Sequence, residues 1–326
     1  MQALELSIIL PVKDAERELP GILQFMETQT EGLEKEIIVV DMGSSDRTVW
    51  EAVQFIKGRE IHGCVVQNGP GTVPAALNTG LQKAAGEYVS FIFARRLYRD
   101  FIRGYLETAR RMEADLIYGS ANEAEAKLAS RRAINILVPK RLSGPELLKS
   151  VVKGEIQMDM SAILFRRSLL LENHISFEIT NAVGYSEEFI YRCLLAAKAP
   201  AQSPTVMRRY PELEMKRGKT LNYGRDIFQY VDSMRRIETR LKACCPDQKE
   251  LLDLFTHEKI PSVILYCVDV LLREGESASD IRGYLRQGGY DRLLTVNRHT
   301  SGPLYRRVQR WKLAPMLYRP AKEVAD

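Results

Sequence analysis

The stretch that decides the fold is Gly86–Arg96, which reads GEYVSFIFARR. Its run Tyr88–Phe93 is β-branched and aromatic and too short for a helix, so it predicts a buried strand. The small residues before that run predict the end of a helix, with Gly86 in a left-handed conformation. Arg95 and Arg96 follow the strand directly. Because ligands bind at the carboxyl ends of strands in open α/β sheets, the two arginines indicate a binding edge.

Three earlier strands lead up to this one. They are predicted at Leu6–Leu10, which stops at Pro11, at Glu36–Asp41 and at Ile61–Gln67. A helical pattern follows each strand, and Asp46 and Thr72 are the predicted caps of the second and third helices. Strands separated by single helices predict right-handed crossovers and a mostly parallel sheet flanked by helices, an α/β fold.

Beyond the central strand, further elements are predicted. They are a strand at Asp115–Tyr118, a loop or short helix at Ala121–Lys140, a helix at Ser143–Val152 with a capping box from Ser143 and Glu146, a strand at Ala162–Phe165, and helices at Arg166–Glu172, Phe189–Ala197, Asn222–Ala243, Gln248–Glu274 and Ser279–Arg286. From residue 211 onward all the predicted elements are helices. This change from alternating strands and helices predicts an α/β domain at 1–210 and a helical region at 211–326.

Composition excludes several classes of protein. The 326 residues are 45% hydrophobic and 27% charged, as in an ordinary globular chain. A net charge of +5 is too small for a dedicated nucleic-acid binder. Five cysteines without C-x-x-C spacing predict reduced thiols. The first residues do not resemble a signal peptide, and Val263–Leu272 is too short to span a bilayer, so a cytoplasmic location is expected.

Five motifs appear in an order that is typical of one family. They are LPVKDAE at 10–16, VVDMGSSD at 39–46, A-x-N-x-G at 76–80 leading into G-E-Y, SAILFRRSLLLENHISFE at 161–178 and SEEFIYR at 186–192. Together they resemble the family 2 glycosyltransferases, nucleotide-sugar enzymes with the Rossmann-like fold called GT-A. The resemblance covers residues 1 to about 210.

The resemblance implies a donor pocket made by the first two strand ends. Pro11 and Asp14 would line the base and ribose of a nucleotide-diphosphate sugar. Asp41 would accept a hydrogen bond from the base, and Gly43 and Ser44 would form the turn beneath it. Helix capping is the structural alternative for Asp14 and for Asp46.

The chain departs from the family where the family binds metal. The central strand of the family ends in D-A-D-D, whose carboxylates hold Mn²⁺ or Mg²⁺, whereas this chain has Phe93-Ala94-Arg95-Arg96. Neither Phe nor Arg supplies an oxygen ligand, so no divalent metal cofactor is predicted to be required. Two functional interpretations stay open: the arginines neutralise the donor diphosphate, or the donor site has decayed. A solvated surface pair is the third possibility.

Glu188 lies where the family has its catalytic base. The resemblance implies that it takes the proton from the acceptor hydroxyl in an inverting transfer. The alternative is that Glu187 and Glu188 are only acidic residues at a helix N-terminus.

The segment 298–322 concentrates Arg and Lys among apolar residues. That composition is typical of an interfacial helix on an anionic membrane, here the inner face of the cell membrane. A helix that packs on the rest of the protein and exposes a basic face to solvent would have the same composition.

These observations predict a glycosyltransferase that uses a nucleotide-diphosphate sugar and a glycan or lipid-linked acceptor, in surface polysaccharide synthesis. No nucleic-acid partner is expected. The alternative is an inactive relative that binds a glycan, a nucleotide or a partner protein.

Overall fold

The structure is a computed structural model, which describes residues 4–59, 61–122, 126, 142–215 and 223–321. Among these residues, one compact unit comprises 4–180 and 189–215, and a second comprises 181–188 and 223–321. Most of the loop or short helix predicted at Ala121–Lys140 lies outside the described residues.

The first unit alternates strands and helices along most of its length. Its elements are β1 (Leu6–Val12), α1 (Leu19–Gln29), β2 (Lys35–Asp41), α2 (Thr48–Gly58), β3 (Gly63–Gln67), α3 (Val73–Lys83), β4 (Tyr88–Phe91), β5 (Tyr98–Arg99), α4 (Ile102–Met112), β6 (Leu116–Ser120), α5 (Gly144–Val152), β7 (Ile163–Arg166), α6 (Arg167–Glu172), β8 (Pro200–Val206) and β9 (Arg208–Arg209), with α7 (Tyr185–Ala196) crossing the boundary between the units.

Seven strands form one mixed sheet in the order β3-β2-β1-β4-β7-β6-β8. The first four are mutually parallel, while β7 runs antiparallel to both β4 and β6. β5 and β9 pair separately as a short antiparallel ribbon. The predicted fold class, a mostly parallel mixed sheet flanked by helices, is therefore confirmed.

The core is made by the runs of apolar residues that predicted the strands. β1 is buried along its whole length, as is β2 except for its first residue. Strands covered on both faces read as continuous apolar runs, which is why they stand out in the sequence. α3 packs closely on β1, because a Cβ on Gly80 would lie 2.4 Å from Cγ2 of Ile9.

Gly86 occupies its position for a different reason from the predicted one. Gly86 is not one of the described glycines that have a positive φ. A Cβ at Gly86 would instead lie 2.6 Å from the backbone nitrogen of Ser7, and its N–H donates to the Ser7 hydroxyl at 2.8 Å. Glycine is thus required by the close approach of two backbones.

Several predicted boundaries were wrong by one or a few residues. β1 continues through Pro11 to Val12, and α2 begins at Thr48 with Arg47 as its N-cap residue, so Asp46 is not the N-cap. α7 begins at Tyr185, which puts both acidic residues inside its first turn. The predicted caps at Thr72 and at Ser143 with Glu146 are confirmed.

The second unit is helical. Besides residues 181–188 it contains a 3₁₀ turn (Gly224–Phe228), α8 (Gln229–Cys244), α9 (Lys249–Leu254), a π-helical turn (Phe255–Lys259), α10 (Ile260–Arg273), α11 (Ala278–Gln287), a 3₁₀ turn (Tyr290–Leu293), α12 (Gly302–Leu313) and a 3₁₀ turn (Pro315–Leu317). Because the π turn joins α9 to α10, the long helix predicted at Gln248–Glu274 is continuous. No helix of the described residues is long and apolar enough to cross a membrane.

Candidate functional site

The binding edge predicted from the strand ends lies at a topological switch point. The chain builds the sheet from β1 to β2 and β3 on one side, then returns to place β4 on the other side of β1. The carboxyl ends of β2, β1 and β4 are therefore neighbours, with β2 and β4 about 10 Å apart. Ligands of open α/β sheets bind in the crevice at such a point.

Asp41 ends β2 with a buried carboxylate that is only 3% exposed. Its Oδ2 accepts the N–H of Gly43 at 3.1 Å, and its Oδ1 accepts the N–H of Ser44 at 3.2 Å and the Ser44 hydroxyl. The family resemblance implies that this carboxylate accepts a hydrogen bond from a nucleotide base. In the structure it closes its own turn, so a nucleotide would have to share it.

Gly43 permits that turn. Its φ is +77°, and a Cβ would lie 2.9 Å from the nitrogen of Pro70. A side chain would therefore meet both backbone strain and a clash with the loop that follows β3.

Asp14 joins the loop after β1 to the turn after β2. It has φ +46°, in the left-handed region. Its N–H donates to the Ser44 hydroxyl at 2.9 Å, and its carboxylate accepts the N–H of Ser45 at 2.8 Å. Asp14 does not cap α1, whose N-cap residue is Glu18. The structure thus brings three predicted donor-pocket residues, Asp14, Asp41 and Ser44, into one hydrogen-bonded group.

Pro11 is buried inside β1 and pairs in register with Val40. Pairing between β1 and β4 ends at Ile9 and Phe91, apart from the N–H of Ile92 that donates to Ile9. A proline after that rung costs no ladder hydrogen bond, because its missing N–H would face the β4 side. Pro11 shapes the strand end.

Asp46 fastens the start of α2 to the loop after β1. Its carboxylate accepts the N–H of Thr48 at 3.0 Å, the Thr48 hydroxyl, and the N–H of Glu16 at 3.1 Å. Burial acts to raise the pKa of Asp46, but these hydrogen bonds outweigh it and the pKa lies below its ordinary value. The carboxylate therefore stabilises the fold in its ionised form.

The chain turns tightly after β4, and the two arginines of that turn differ in their contacts. The N–H of Arg96 donates to the carbonyl of Phe93 at 2.9 Å. The Arg96 guanidinium forms an ion pair with Asp159 and lies 3.4 Å from the Tyr98 hydroxyl. Tyr98 in turn donates to Asp159 at 3.1 Å. Burial, followed by the charge of Asp159, raises the pKa of Tyr98.

Arg95 is exposed at the tip of this turn. It forms no hydrogen bond or ion pair with any other residue that the structure describes. Of the two predicted diphosphate ligands, Arg95 therefore has a guanidinium available for an anion, while Arg96 is already bonded.

The segment 208–215 fixes the other side of the turn. The N–H of Met215 donates to the carbonyl of Ala94 at 2.8 Å, and the N–H of Leu97 donates to Glu214 at 3.0 Å. Glu214 also binds Arg209 at 2.7 Å. This segment was missed in the sequence, because its partners are more than a hundred residues away and it carries no local signal.

The residues at this edge do not fit a divalent cation. The two carboxylates that contact the turn, Asp159 and Glu214, are each held by an arginine. No group of three His, Cys, Asp or Glu side chains suited to a metal occurs within the described parts of the chain. Hard cations need several anionic or carbonyl oxygen ligands, and the charge of both carboxylates is already neutralised by a guanidinium.

Asn78, in the A-x-N-x-G motif, has a structural role that the sequence did not reveal. Its side chain accepts the N–H of Phe177 at 2.8 Å and donates to the Phe177 carbonyl at 2.9 Å. This pair of bonds fixes the chain just before residues 181–188. Phe177 also stacks on Phe189, with ring centroids 3.9 Å apart.

Glu188, the predicted catalytic base, belongs to the second unit and is 4% exposed. Arg236 binds both of its oxygens, at 2.8 and 2.7 Å, and Asn181 donates to it at 3.4 Å. A carboxylate has about four acceptor positions, so these bonds leave some capacity. Arg236 lies 48 residues away, and no local pattern predicted the pair.

Glu187 is bonded within the same unit. It accepts from Lys259 at 2.6 Å and from the Tyr230 hydroxyl. Burial, followed by the charge of Glu187, raises the pKa of Tyr230 well above its ordinary value. Both acidic residues are therefore tied to helices of the second unit, beyond any effect of their helix N-terminus.

Comparison with known proteins confirms the resemblance seen in the motifs. Residues 7–132 match the model of glycosyl transferase family 2. The solved structure of S. aureus TarS 1-349 in complex with UDP-GlcNAc has a TM-score of 0.70 at 13% identity, covering 96% of this chain and 88% of that one. The same protein in complex with UDP gives 0.60 at 16% identity, covering 95% and 91%.

A mannosyltransferase is also similar. PcManGT from Pyrobaculum calidifontis, solved in complex with GDP-Man and Mn²⁺, has a TM-score of 0.55 at 15% identity, covering 94% of this chain and 84% of that one. No curated protein sequence matches this chain significantly. At these identities the solved structures establish the GT-A fold, and residue roles need arguments from this chain.

Proposed function

We propose that this protein is a glycosyltransferase that moves a sugar from a nucleotide-diphosphate sugar to a glycan or lipid-linked acceptor in surface polysaccharide synthesis, without a divalent metal. The family match at residues 7–132 supports sugar transfer. The similar structures of TarS with UDP-GlcNAc and PcManGT with GDP-Man support a nucleotide-diphosphate donor.

The observation that carries the proposal is the contrast between the two arginines after β4. Arg96 is anchored by Asp159, which holds the turn in place, and Arg95 is exposed without a partner among the described residues. A guanidinium matches two phosphate oxygens at once and stays charged at any working pH. Arg95 is therefore suited to neutralise the donor diphosphate beside the switch point.

In the proposed reaction the acceptor hydroxyl oxygen attacks the anomeric carbon and forms the new glycosidic bond. The bond from that carbon to the diphosphate breaks, and its electron pair leaves with the nucleoside diphosphate, whose growing charge Arg95 stabilises. The proton of the acceptor hydroxyl passes to the Glu188 carboxylate. A single displacement of this kind inverts the anomeric centre.

A second function, binding without turnover, is favoured by one observation. Glu188 is 4% exposed and Arg236 binds both of its oxygens, which leaves an acceptor hydroxyl little access to the carboxylate. In this alternative, Glu188 is a structural residue and the chain binds a nucleotide, a glycan or a partner protein.

Calorimetric titration with UDP-GlcNAc and GDP-Man tests the donor site. Binding should be the same in EDTA and in Mn²⁺. Arg95→Ala should weaken it about 10- to 150-fold, the value of a hydrogen bond to a charged group, and Arg95→Lys should weaken it less. Arg111→Ala is the matched control, because Arg111 is also exposed but lies on α4.

Two outcomes would contradict this assignment. Binding that appears only with Mn²⁺ would require metal ligands that the described residues do not provide. Equal losses from Arg95→Ala and Arg111→Ala would mean that Arg95 contributes only general charge. An absence of binding to either nucleotide sugar would favour the second function, with a glycan or protein ligand.

The proton acceptor is tested with two variants that break the same ion pair. Glu188→Gln should stop sugar transfer without weakening donor binding, whereas Arg236→Gln should keep measurable transfer because the carboxylate remains. Circular dichroism should show both variants folded. Equal loss of transfer in the two variants would assign the pair a structural role and remove Glu188 as the base.

A further inference from the structure

The apolar stripe of α12 packs inside the second unit. Leu304, Val308 and Trp311 are buried, and Arg307 forms an ion pair with Asp269 of α10 at 2.6 Å. An interfacial helix lying flat on a membrane would need this stripe on its outer face. The interfacial helix expected over 298–322 is therefore not available along most of its length.

Apolar side chains emerge instead where the helix ends. Leu313 is 82% exposed, Met316 69% and Leu317 71%, the three most exposed large apolar side chains of the described residues. They occur within five residues, at the end of α12 and in the 3₁₀ turn Pro315–Leu317. Single exposed apolar residues are common, but a cluster of three marks a contact surface. Leu313, Met316 and Leu317 are called the apolar tip below.

The residues around the apolar tip are firmly held. Pro315 is buried, and Tyr318 is only 3% exposed. The Tyr318 hydroxyl donates to Asp269 at 2.8 Å, and its ring meets Trp311 edge to face with centroids 5.3 Å apart. The turn that carries the apolar tip is therefore held in place by buried residues on both sides.

The charges along the chain segment that carries the tip have a single sign. Residues 302–321 contain five basic residues and no acidic one, a net charge of +5 that equals the charge of the whole chain. Arg306, Arg310 and Lys312 are exposed, and they form no ion pair with other residues in the described ranges. Arg306, Arg310 and Leu313 are spaced i, i+4, i+7, which places them on one face of α12.

We propose that the apolar tip and these three cations dock on an anionic lipid bilayer. The apolar side chains would enter the boundary between headgroups and acyl chains, and the cations would bind lipid phosphates. Arg306 lies about 10 Å from Leu313 along the helix, within the range of surface electrostatics at physiological salt. The charge decides between occupants, since a second copy of this chain would bring like charges together.

Flotation of the full chain with lipid vesicles tests the proposal. The unchanged protein should bind vesicles that contain phosphatidylglycerol and dissociate from them as the salt concentration is raised. It should not bind vesicles of phosphatidylcholine alone. The triple variant Arg306→Gln, Arg310→Gln, Lys312→Gln should bind about 100-fold more weakly, at about fivefold for each cation. The triple variant Leu313→Ser, Met316→Ser, Leu317→Ser should also lose binding and remain folded, because these side chains are exposed.

Two control variants make the same chemical changes elsewhere. Arg17→Gln, Lys57→Gln, Arg111→Gln removes three exposed cations from the first unit, and Trp50→Ser, Leu171→Ser, Ile179→Ser removes three exposed apolar side chains. Both should bind vesicles as the unchanged protein does. Failure of the unchanged protein to bind phosphatidylglycerol, or equal losses in controls and tip variants, would overturn the proposal. So would a dimer in sedimentation velocity that the tip variant abolishes while vesicle binding persists.

Discussion

The turn after β2 and the turn after β4 lie on either side of β1, and they differ in what their charged groups bind. In the first, the carboxylates of Asp41 and Asp46 accept hydrogen bonds from the turn and its neighbours. In the second, Asp159 anchors Arg96 while Arg95 remains exposed. The acidic turn is thus stabilised from within, and the basic turn retains a group for a ligand.

This difference separates stability from binding along one sheet edge. Substitutions in the turn after β2 should mainly change the free energy of unfolding. Substitutions at Arg95 should mainly change affinity for an anion. The predictions below test that division, beginning with the largest expected change in stability.

Asp41→Ala should lower the free energy of unfolding by about 3 kcal/mol, because it leaves two N–H groups and a hydroxyl without their acceptor. Asp14→Asn, which keeps an acceptor oxygen and tolerates the left-handed φ of +46°, should cost less than about 1 kcal/mol. Urea denaturation measures both. Equal losses would show that the buried carboxylate of Asp41 contributes no more to stability than the exposed one of Asp14. Any loss of nucleotide affinity in Asp41→Ala must be read beside this loss of stability.

Gly43→Ala should destabilise more than Gly69→Ala, by about 2 against about 1 kcal/mol. Both glycines have positive φ, but a Cβ at Gly43 would meet Pro70 at 2.9 Å, whereas at Gly69 no atom lies within 4 Å. The backbone strain is shared, so the difference isolates the close contact. Thermal melting of the two variants measures it, and identical melting temperatures would mean that the loop after β3 yields freely.

Arg96→Ala should lower the free energy of unfolding by about 1 kcal/mol, the upper end for a partly exposed ion pair. Arg95→Ala should leave it unchanged within error, because Arg95 has no partner among the residues described. Chemical denaturation of the two variants side by side compares them. A larger loss from Arg95→Ala would reverse the assignment of anchor and ligand-binding arginine.

Asp46→Asn should have the smallest effect, and the effect should depend on pH. The folded pKa of Asp46 lies below its ordinary value, so its ionised form stabilises the protein above the unfolded pKa of about 4. That contribution is lost as pH falls through the folded pKa. Urea denaturation should therefore show the unchanged protein more stable than the variant at pH 7, with the difference shrinking toward pH 3. A constant difference would exclude a titrating role.

Much of the first unit followed from the sequence because its strands are buried on both faces. Continuous apolar runs such as Ile37–Val40 predict buried strands such as β2, and the motif order indicated the GT-A fold. The caps at Thr72 and Ser143 were also predictable, because capping depends on neighbours within three or four residues. β8 and the ribbon of β5 with β9 were missed, since their short runs carry mixed polarity.

The sequence by itself determined which residues stand at the strand ends: Asp41 after β2, and Arg95 and Arg96 after β4. Only the tertiary structure decided which of them are already bonded. Asp159 lies 63 residues beyond Arg96, and Arg236 lies 48 beyond Glu188, so no local pattern could pair them. The same holds for α12, whose apolar stripe is buried while the tip beyond it is exposed. The residue type sets what a side chain can bind, but the partner that it meets depends on packing between distant segments.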